Sequence, residues 1–217
     1  VVGGGIAAYK ALELVRLIRK AGGAVRVILT AAAAEFVTPL SLAALSGHPV
    51  RQSLFLPDDE TTMGHIELSR WADLVVVAPA TASLIARAAN GLADDLASTT
   101  LIATDKRVLL APAMNVRMWL HPAVQANVER LQSFDGFHGC AVVGPDEGEM
   151  ACGEFGPGRM ADVGPRSGLV AGLLLLEVGV AMLAGTAVAH PWTRRATEHG
   201  VEHTESAAST ARERVGA

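Results

Sequence analysis

Asp73-Leu74-Val75-Val76-Val77-Ala78-Pro79-Ala80-Thr81 decides the fold. Its apolar run has no polar alternation and leaves no face for water, the pattern of a strand buried on both sides in a parallel sheet. Ala24-Val25-Arg26-Val27-Ile28-Leu29-Thr30, Arg107-Val108-Leu109-Leu110-Ala111 and Cys140-Ala141-Val142-Val143 read as its neighbours. Between these runs, residues 7–21, 83–89, 96–104 and 117–132 carry helical patterns, the first stopping on Gly22-Gly23. Strands alternating with helices imply an α/β protein, a Rossmann-like (flavodoxin-like) doubly wound parallel sheet in a single domain. Residues 1–189 are assigned to that domain and 190–217 to a tail, because the chain from Thr193 onward is charged and has little apolar pattern.

The composition fits such a core. Of 217 residues, 50% are hydrophobic and only 4% aromatic, so helices pack on the sheet through Ala, Val, Leu and Ile. A net charge of −4, without a run of Lys and Arg, argues against nucleic acid as a partner. Cys140 and Cys152 sit in no zinc-ligand spacing, so no metal site is expected, and the two thiols fit a reducing cytoplasm. Val1-Val2, with no methionine before it, reads as the end of a first strand that starts upstream; no secretory signal is expected. The apolar stretch 168–189 is long enough to span a bilayer, but Glu177 and three interior glycines favour a packed helix followed by a short strand.

Ligands of doubly wound sheets bind beyond the carboxyl ends of the strands, so the residues just after each strand are the ones to inspect. Gly3-Gly4-Gly5 leads into a helix and either holds a phosphate on bare amides or simply makes a tight turn. There is no GxGxxG fingerprint, and the second strand ends on Thr30 rather than an acidic residue, so a mononucleotide flavin fits better than a nicotinamide dinucleotide. Pro79-Ala80-Thr81 and Pro112-Ala113-Met114-Asn115 close the next two strands. Asn115 is either an amide donor to a carboxylate or the cap of the following helix, and both roles can coexist. Ser98 and Thr99 stand near the same rim, with Asp94 or Asp95 as a candidate N-cap. His65, after the turn at Met63-Gly64, is a candidate base or a surface histidine. Cys152 lies in Met150-Ala151-Cys152-Gly153-Glu154-Phe155-Gly156-Pro157-Gly158-Arg159-Met160, read as a mobile glycine-rich segment in which a thiol has little to pack against. Arg159 could meet an anionic substrate.

Six colinear motifs extend this reading: GGIAAYKALELVR (4–16), TPLSLAALSG (38–47), MGHIELSRWADLVVVAPATA (63–82), ANGLADDLASTT (89–100), APAMNVRMW (111–119) and ACGEFGPGRM (151–160). Together they resemble the homo-oligomeric flavin-containing cysteine decarboxylases, including the decarboxylase half of the bacterial coenzyme A biosynthesis protein. The resemblance implies FMN as cofactor, His65 as base, Asn115 as holder of the substrate carboxylate and Cys152 in a substrate clamp. It puts Gly4, Gly5, Thr30, Thr81, Ser98 and Met114 along the flavin, and Met118, Gly153, Arg159 and Met160 beside the substrate. It implies a trimer or dodecamer; from the composition, no membrane or nucleic-acid partner and a cytoplasmic location are expected. The implied chemistry oxidises the thiol side of a cysteine carboxylate to a thioaldehyde, after which loss of CO2 gives an ene-thiol. 4'-Phosphopantothenoylcysteine is the expected substrate; the alternative is the C-terminal cysteine of a ribosomally made peptide precursor, converted to an aminoenethiol. A flavin-binding regulatory subunit is a third reading, disfavoured by the joint presence of His65, Asn115 and Cys152. Gly3 departs from the Ser or Thr usual beside the phosphate, 134–139 reads as a small insertion, and a following synthetase half is not expected.

Overall fold

The computed structural model describes residues 1–55, 64–134 and 140–164. The stretch 168–189, the tail and the boundary between residues 189 and 190 lie outside the described residues, as does most of 134–139. The deciding stretch is a strand, β1 (Leu74–Ala80), parallel to β2 (Arg107–Pro112), with Val75 opposite Val108 and Val77 opposite Leu110. β2 pairs in parallel with β3 (Cys140–Val142). On the other side of β1, Val1 N donates to Val76 O at 2.7 Å and Ala78 N to Val1 O at 3.0 Å. Parallel bridges then join Val2 to Leu29 and Ile28 to Arg51. Across the sheet the order is Arg51, Ile28-Leu29, Val1-Val2, β1, β2, β3. The chain therefore winds one way from Val1-Val2 and the other way from β1, which puts the topological switch point between them.

The alternation of side chains along β1 and β2 explains why helices cover both faces. Val75, Val77, Val108 and Leu110 face a core shared with α5 (Ala82–Ala89), α6 (Leu96–Ala103) and α8 (Pro122–Gln132). Ala78, Leu109 and Ala111 face the opposite side, where Leu14 of α1 (Tyr9–Lys20) packs. A third cluster joins Val2 and Leu29 to Ala11 and Val15 of α1 and to Leu42 of α3 (Pro39–Ser46). The described residues contain no helix long and apolar enough to cross a membrane.

Several boundaries differ from the sequence reading. The expected helix 117–132 is two helices, α7 (Val116–Trp119) and α8, because Pro122 lacks the N–H that would continue the first and instead starts the second behind the His121 cap. The 24–30 strand narrows to bridges at Ile28 and Leu29. Helices α2 (Ala31–Ala34) and α3 were not anticipated, although α3 has a cap at each end: Thr38 accepts from Ser41 N, Pro39 opens the helix, and Gly47 closes it at φ +74°. The segment around Cys152 is not a loose glycine loop but the tip of an antiparallel hairpin, β4 (Asp146–Glu149) and β5 (Phe155–Arg159). The remaining helix, α4 (Gly64–Trp71), packs on α6.

Leu109 has 0% exposure at the centre of the sheet. Leu109→Ala is expected to lower stability by about 3 kcal/mol, read as a shift in the urea midpoint at unchanged slope. A cost under about 1 kcal/mol would mean that this face is not close-packed.

Candidate active site

Three polar residues follow three strand ends of the sheet, and each caps the helix that comes next. Ala33 N donates to Thr30 Oγ1 at 3.2 Å, Leu84 N to Thr81 Oγ1 at 3.3 Å and Arg117 N to Asn115 Oδ1 at 2.8 Å. Helix N-termini thus gather along one rim, presenting amides and the positive ends of their dipoles. Thr30 also ties down the first strand, its hydroxyl donating to Val2 O at 3.1 Å. In the glycine run, a Cβ on Gly3 would strike the Pro79 carbonyl and one on Gly4 would strike Ala32, whereas one on Gly5 would meet nothing within 4 Å. The first two glycines let backbones approach, and the third borders open space.

Ser98 is fully buried in a capping box: its amide donates to Asp95 Oδ1 at 2.7 Å and its hydroxyl takes the Asp95 amide at 3.1 Å. Asp95 is thus the N-cap of α6, and Arg87 pairs with it at 2.8 Å. In this chain Ser98 shapes the turn from within and presents no surface of its own.

The hairpin brings the other predicted residues together. Met150 N donates to Glu154 O at 2.7 Å and Gly153, at φ +81°, donates to Met150 O at 2.9 Å, closing the tip that carries Cys152. Met114 N donates to Gly158 O at 3.0 Å, and a Cβ on Gly158 would collide with the Met114 carbonyl. A Cβ on Gly156 would come within 3.1 Å of Val116. The glycines of this segment therefore let β5 press against the strand end that bears Asn115.

Asn115 meets the tip across that contact. Its Oδ1 is committed to the cap, so its Nδ2 faces the hairpin, donating to Cys152 Sγ at 3.4 Å and to Glu154 Oε2. Cys152 Sγ also lies 3.9 Å from Glu154 Oε2, and Arg117 Nε stands 3.6 Å from Glu154 Oε1. Arg117 is 89% exposed, so its ion pair contributes about 0–1 kcal/mol. A charge-assisted hydrogen bond such as that from Asn115 contributes roughly 1.5–3 kcal/mol, and it is the stronger tie. Sequence reasoning missed Glu154; its only signal is its place two residues after Cys152, where a tight tip returns both side chains to one neighbour.

The remaining candidates fall elsewhere. Met118 is an exposed side chain of α7. The exposed Arg159 lies over Gly148 of the paired strand. Met160, expected beside the substrate, is instead a core residue: at 1% exposure it packs with Leu14, Leu109 and Ala111, and its carbonyl accepts from Lys10 Nζ at 2.8 Å. His65 is the second residue of α4, and among the described residues no hydrogen bond joins it to Asn115 or Cys152. The described residues contain no cluster suited to a metal ion.

The Flavoprotein family model matches residues 1–172. The chain belongs to the Flavoprotein family. Within that family it is 56% identical over 161 residues to the coenzyme A biosynthesis bifunctional protein CoaBC of Escherichia coli (strain K12), covering 74% of this chain and 39% of that protein. Identity to the CoaBC of Haemophilus influenzae is 53% over 159 residues, 73% of this chain and again 39% of the relative. This Flavoprotein chain thus spans about two fifths of the length of the curated relatives it matches. Among solved structures, a cysteine-to-serine mutant of PPC decarboxylase complexed with pantothenoylaminoethenethiol is similar at 29% identity and TM-score 0.66, over 81% of this chain and 94% of that one. The FMN-dependent cysteine decarboxylase SpaF is similar at 29% identity and TM-score 0.64, over the same shares.

Burial raises the Cys140 thiol above its ordinary range, while Cys152 is exposed. Iodoacetamide near pH 8 is therefore expected to modify Cys152 well before Cys140, as read by peptide mass mapping. Equal labelling of the two would contradict the placement of Cys152 at an open hairpin tip.

Proposed function

We propose that this chain is an FMN-dependent decarboxylase of a cysteine carboxylate, with 4'-phosphopantothenoylcysteine as substrate. The observation that carries the proposal is the meeting of Asn115 and Cys152, a carboxamide with its donors turned to the hairpin and an exposed thiol at 3.4 Å. The 56% identity to CoaBC, against 29% to SpaF, favours the coenzyme A precursor over a peptide C-terminus.

The rim fits the flavin. Gly3 and Gly4 leave no room for side chains, Gly5 opens onto free space, and the Thr30 and Thr81 caps flank it with oxygens and helix amides. Gly4, Gly5, Thr30, Thr81 and Met114 would hold FMN, with Ser98 fixing the Asp94-Asp95 turn from within. When bound, FMN would supply the two-electron oxidation of the thiol-bearing carbon that gives a simple cysteine carboxylate the electron sink it lacks.

The chain's own groups do the rest. Asn115 Nδ2 orients the carboxylate, which is lost as CO2. His65 acts as the base for the substrate thiol. Cys152 Sγ would donate its proton to the carbon that carried the carboxylate, and return of the hydride held on reduced FMN to the thiol-bearing carbon would make the final product the saturated thiol rather than the ene-thiol. Met118 and Gly153 border the substrate, and Arg159 draws anionic groups toward the hairpin. We read the exposed Phe36 and Leu40, at 49% and 79%, as part of a homo-oligomer contact in a trimer or larger assembly. The free thiols of Cys140 and Cys152 accord with a cytoplasmic enzyme.

The FMN-loaded protein is expected to release CO2 from 4'-phosphopantothenoylcysteine. His65→Asn should lose at least about 100-fold in turnover while retaining bound FMN by absorbance. Cys152→Ser should still release CO2 but deliver the ene-thiol, identified by mass. No turnover of this substrate by the wild type would refute the proposal, and an active His65→Asn enzyme would remove His65 as the base.

A further inference from the structure

The Asn115 carboxamide already holds a carboxylate. Its oxygen is taken by Arg117 N, one donor reaches Cys152 Sγ and the other Glu154 Oε2, so the group has no donor left to offer an incoming ligand. Of its two hairpin contacts, the one to Glu154 is charge-assisted and is the one a substrate carboxylate would replace like for like. Two carboxylates cannot share that amide without repulsion, so occupancy is exclusive.

We propose that Glu154 is an internal stand-in for the substrate carboxylate, occupying Asn115 until a ligand brings a carboxylate of its own and returning once CO2 has left. The inference rests on the reading of Asn115 as the carboxylate-holding residue. The displaced side chain has somewhere to go: it is 40% exposed, and Arg117 Nε stands 3.6 Å from its other oxygen. The exchange taxes every ligand that needs Asn115 free, in proportion to how seldom it is free. Decarboxylation removes the group that kept Glu154 away, so Glu154 returns to an Asn115 that the product no longer uses. Glu154 thus acts through Asn115 as a positioning residue that weakens the hold on acids and narrows their advantage over decarboxylated products.

Two readouts on the FMN-loaded protein test this. In asparagine-selective 15N spectra of the ligand-free protein, the Asn115 side-chain amide should shift in Glu154→Gln, where its charged acceptor is gone. In binding, the analogue with serine in place of cysteine, which keeps the carboxylate but cannot be oxidised to a thioaldehyde, should bind Glu154→Gln roughly fivefold more tightly than wild type. 4'-Phosphopantetheine, which has no carboxylate, should change by less than about twofold, because it has no need of Asn115. Glu154→Ala, which removes the acceptor but leaves the backbone bond between Met150 N and Glu154 O, should exceed the Gln variant. An Asn115 side-chain amide unmoved by Glu154→Gln, or equal changes for the two ligands, overturns the inference. If neither ligand binds wild type, the substrate assignment fails, and the Asn115 amide shift still decides whether Glu154 occupies Asn115.

Discussion

The two-ended bonding of the Asn115 carboxamide is the constraint on which the site depends. Its oxygen caps α7 at 2.8 Å from Arg117 N, fixing where the helix starts, and that commitment turns its nitrogen toward the hairpin. Loss of an N-cap costs about 1 kcal/mol, and the charge-assisted bond to Glu154 contributes more. One side chain therefore sets the start of a helix, the position of the Cys152 tip and the availability of donors for a carboxylate. The same economy holds at Thr30 and Thr81, whose caps position two more helix starts along the rim.

That bond forms only because the backbones come close enough, and this is the work of glycine. Gly158 lies against the Met114 carbonyl and Gly156 against Val116, so β5 sits within backbone contact of the β2 end. Lys10 adds a tie from α1 to the far end of β5 through the Met160 carbonyl. Helix α1, strand end and thiol-bearing tip are thus held in one frame, anchored by Met160 and Ala161 in the core.

Much of the frame is legible in the sequence, because it rests on local rules. The unbroken Val75-Val76-Val77 run gives a strand buried on both faces, Asp95 and Asn115 cap the helices that follow them, and Gly22 ends α1. Pro122 carried an equally local signal, and it splits what the apolar period alone joins. The hairpin is a different case. A strand containing Gly156, Pro157 and Gly158 has almost no side chains to alternate, so neither its pairing nor the inward direction of Met160 shows in a pattern. The Asn115 to Cys152 contact spans 37 residues, and from residues alone only the family resemblance brought these two together. Glu154 was hidden for the same reason, since its partner is set by how the tip folds back.

The central claim is that a substrate carboxylate is lost at Asn115 and that Cys152 then protonates the carbon left behind. Turnover of 4'-phosphopantothenoylcysteine by the FMN-loaded protein in heavy water tests both halves in one NMR spectrum of the product. The account predicts a saturated decarboxylated thiol with deuterium on the carbon that carried the carboxylate, delivered from an exchanged Cys152 thiol. Recovery of the ene-thiol alone, or of substrate with its carboxylate intact, would contradict it.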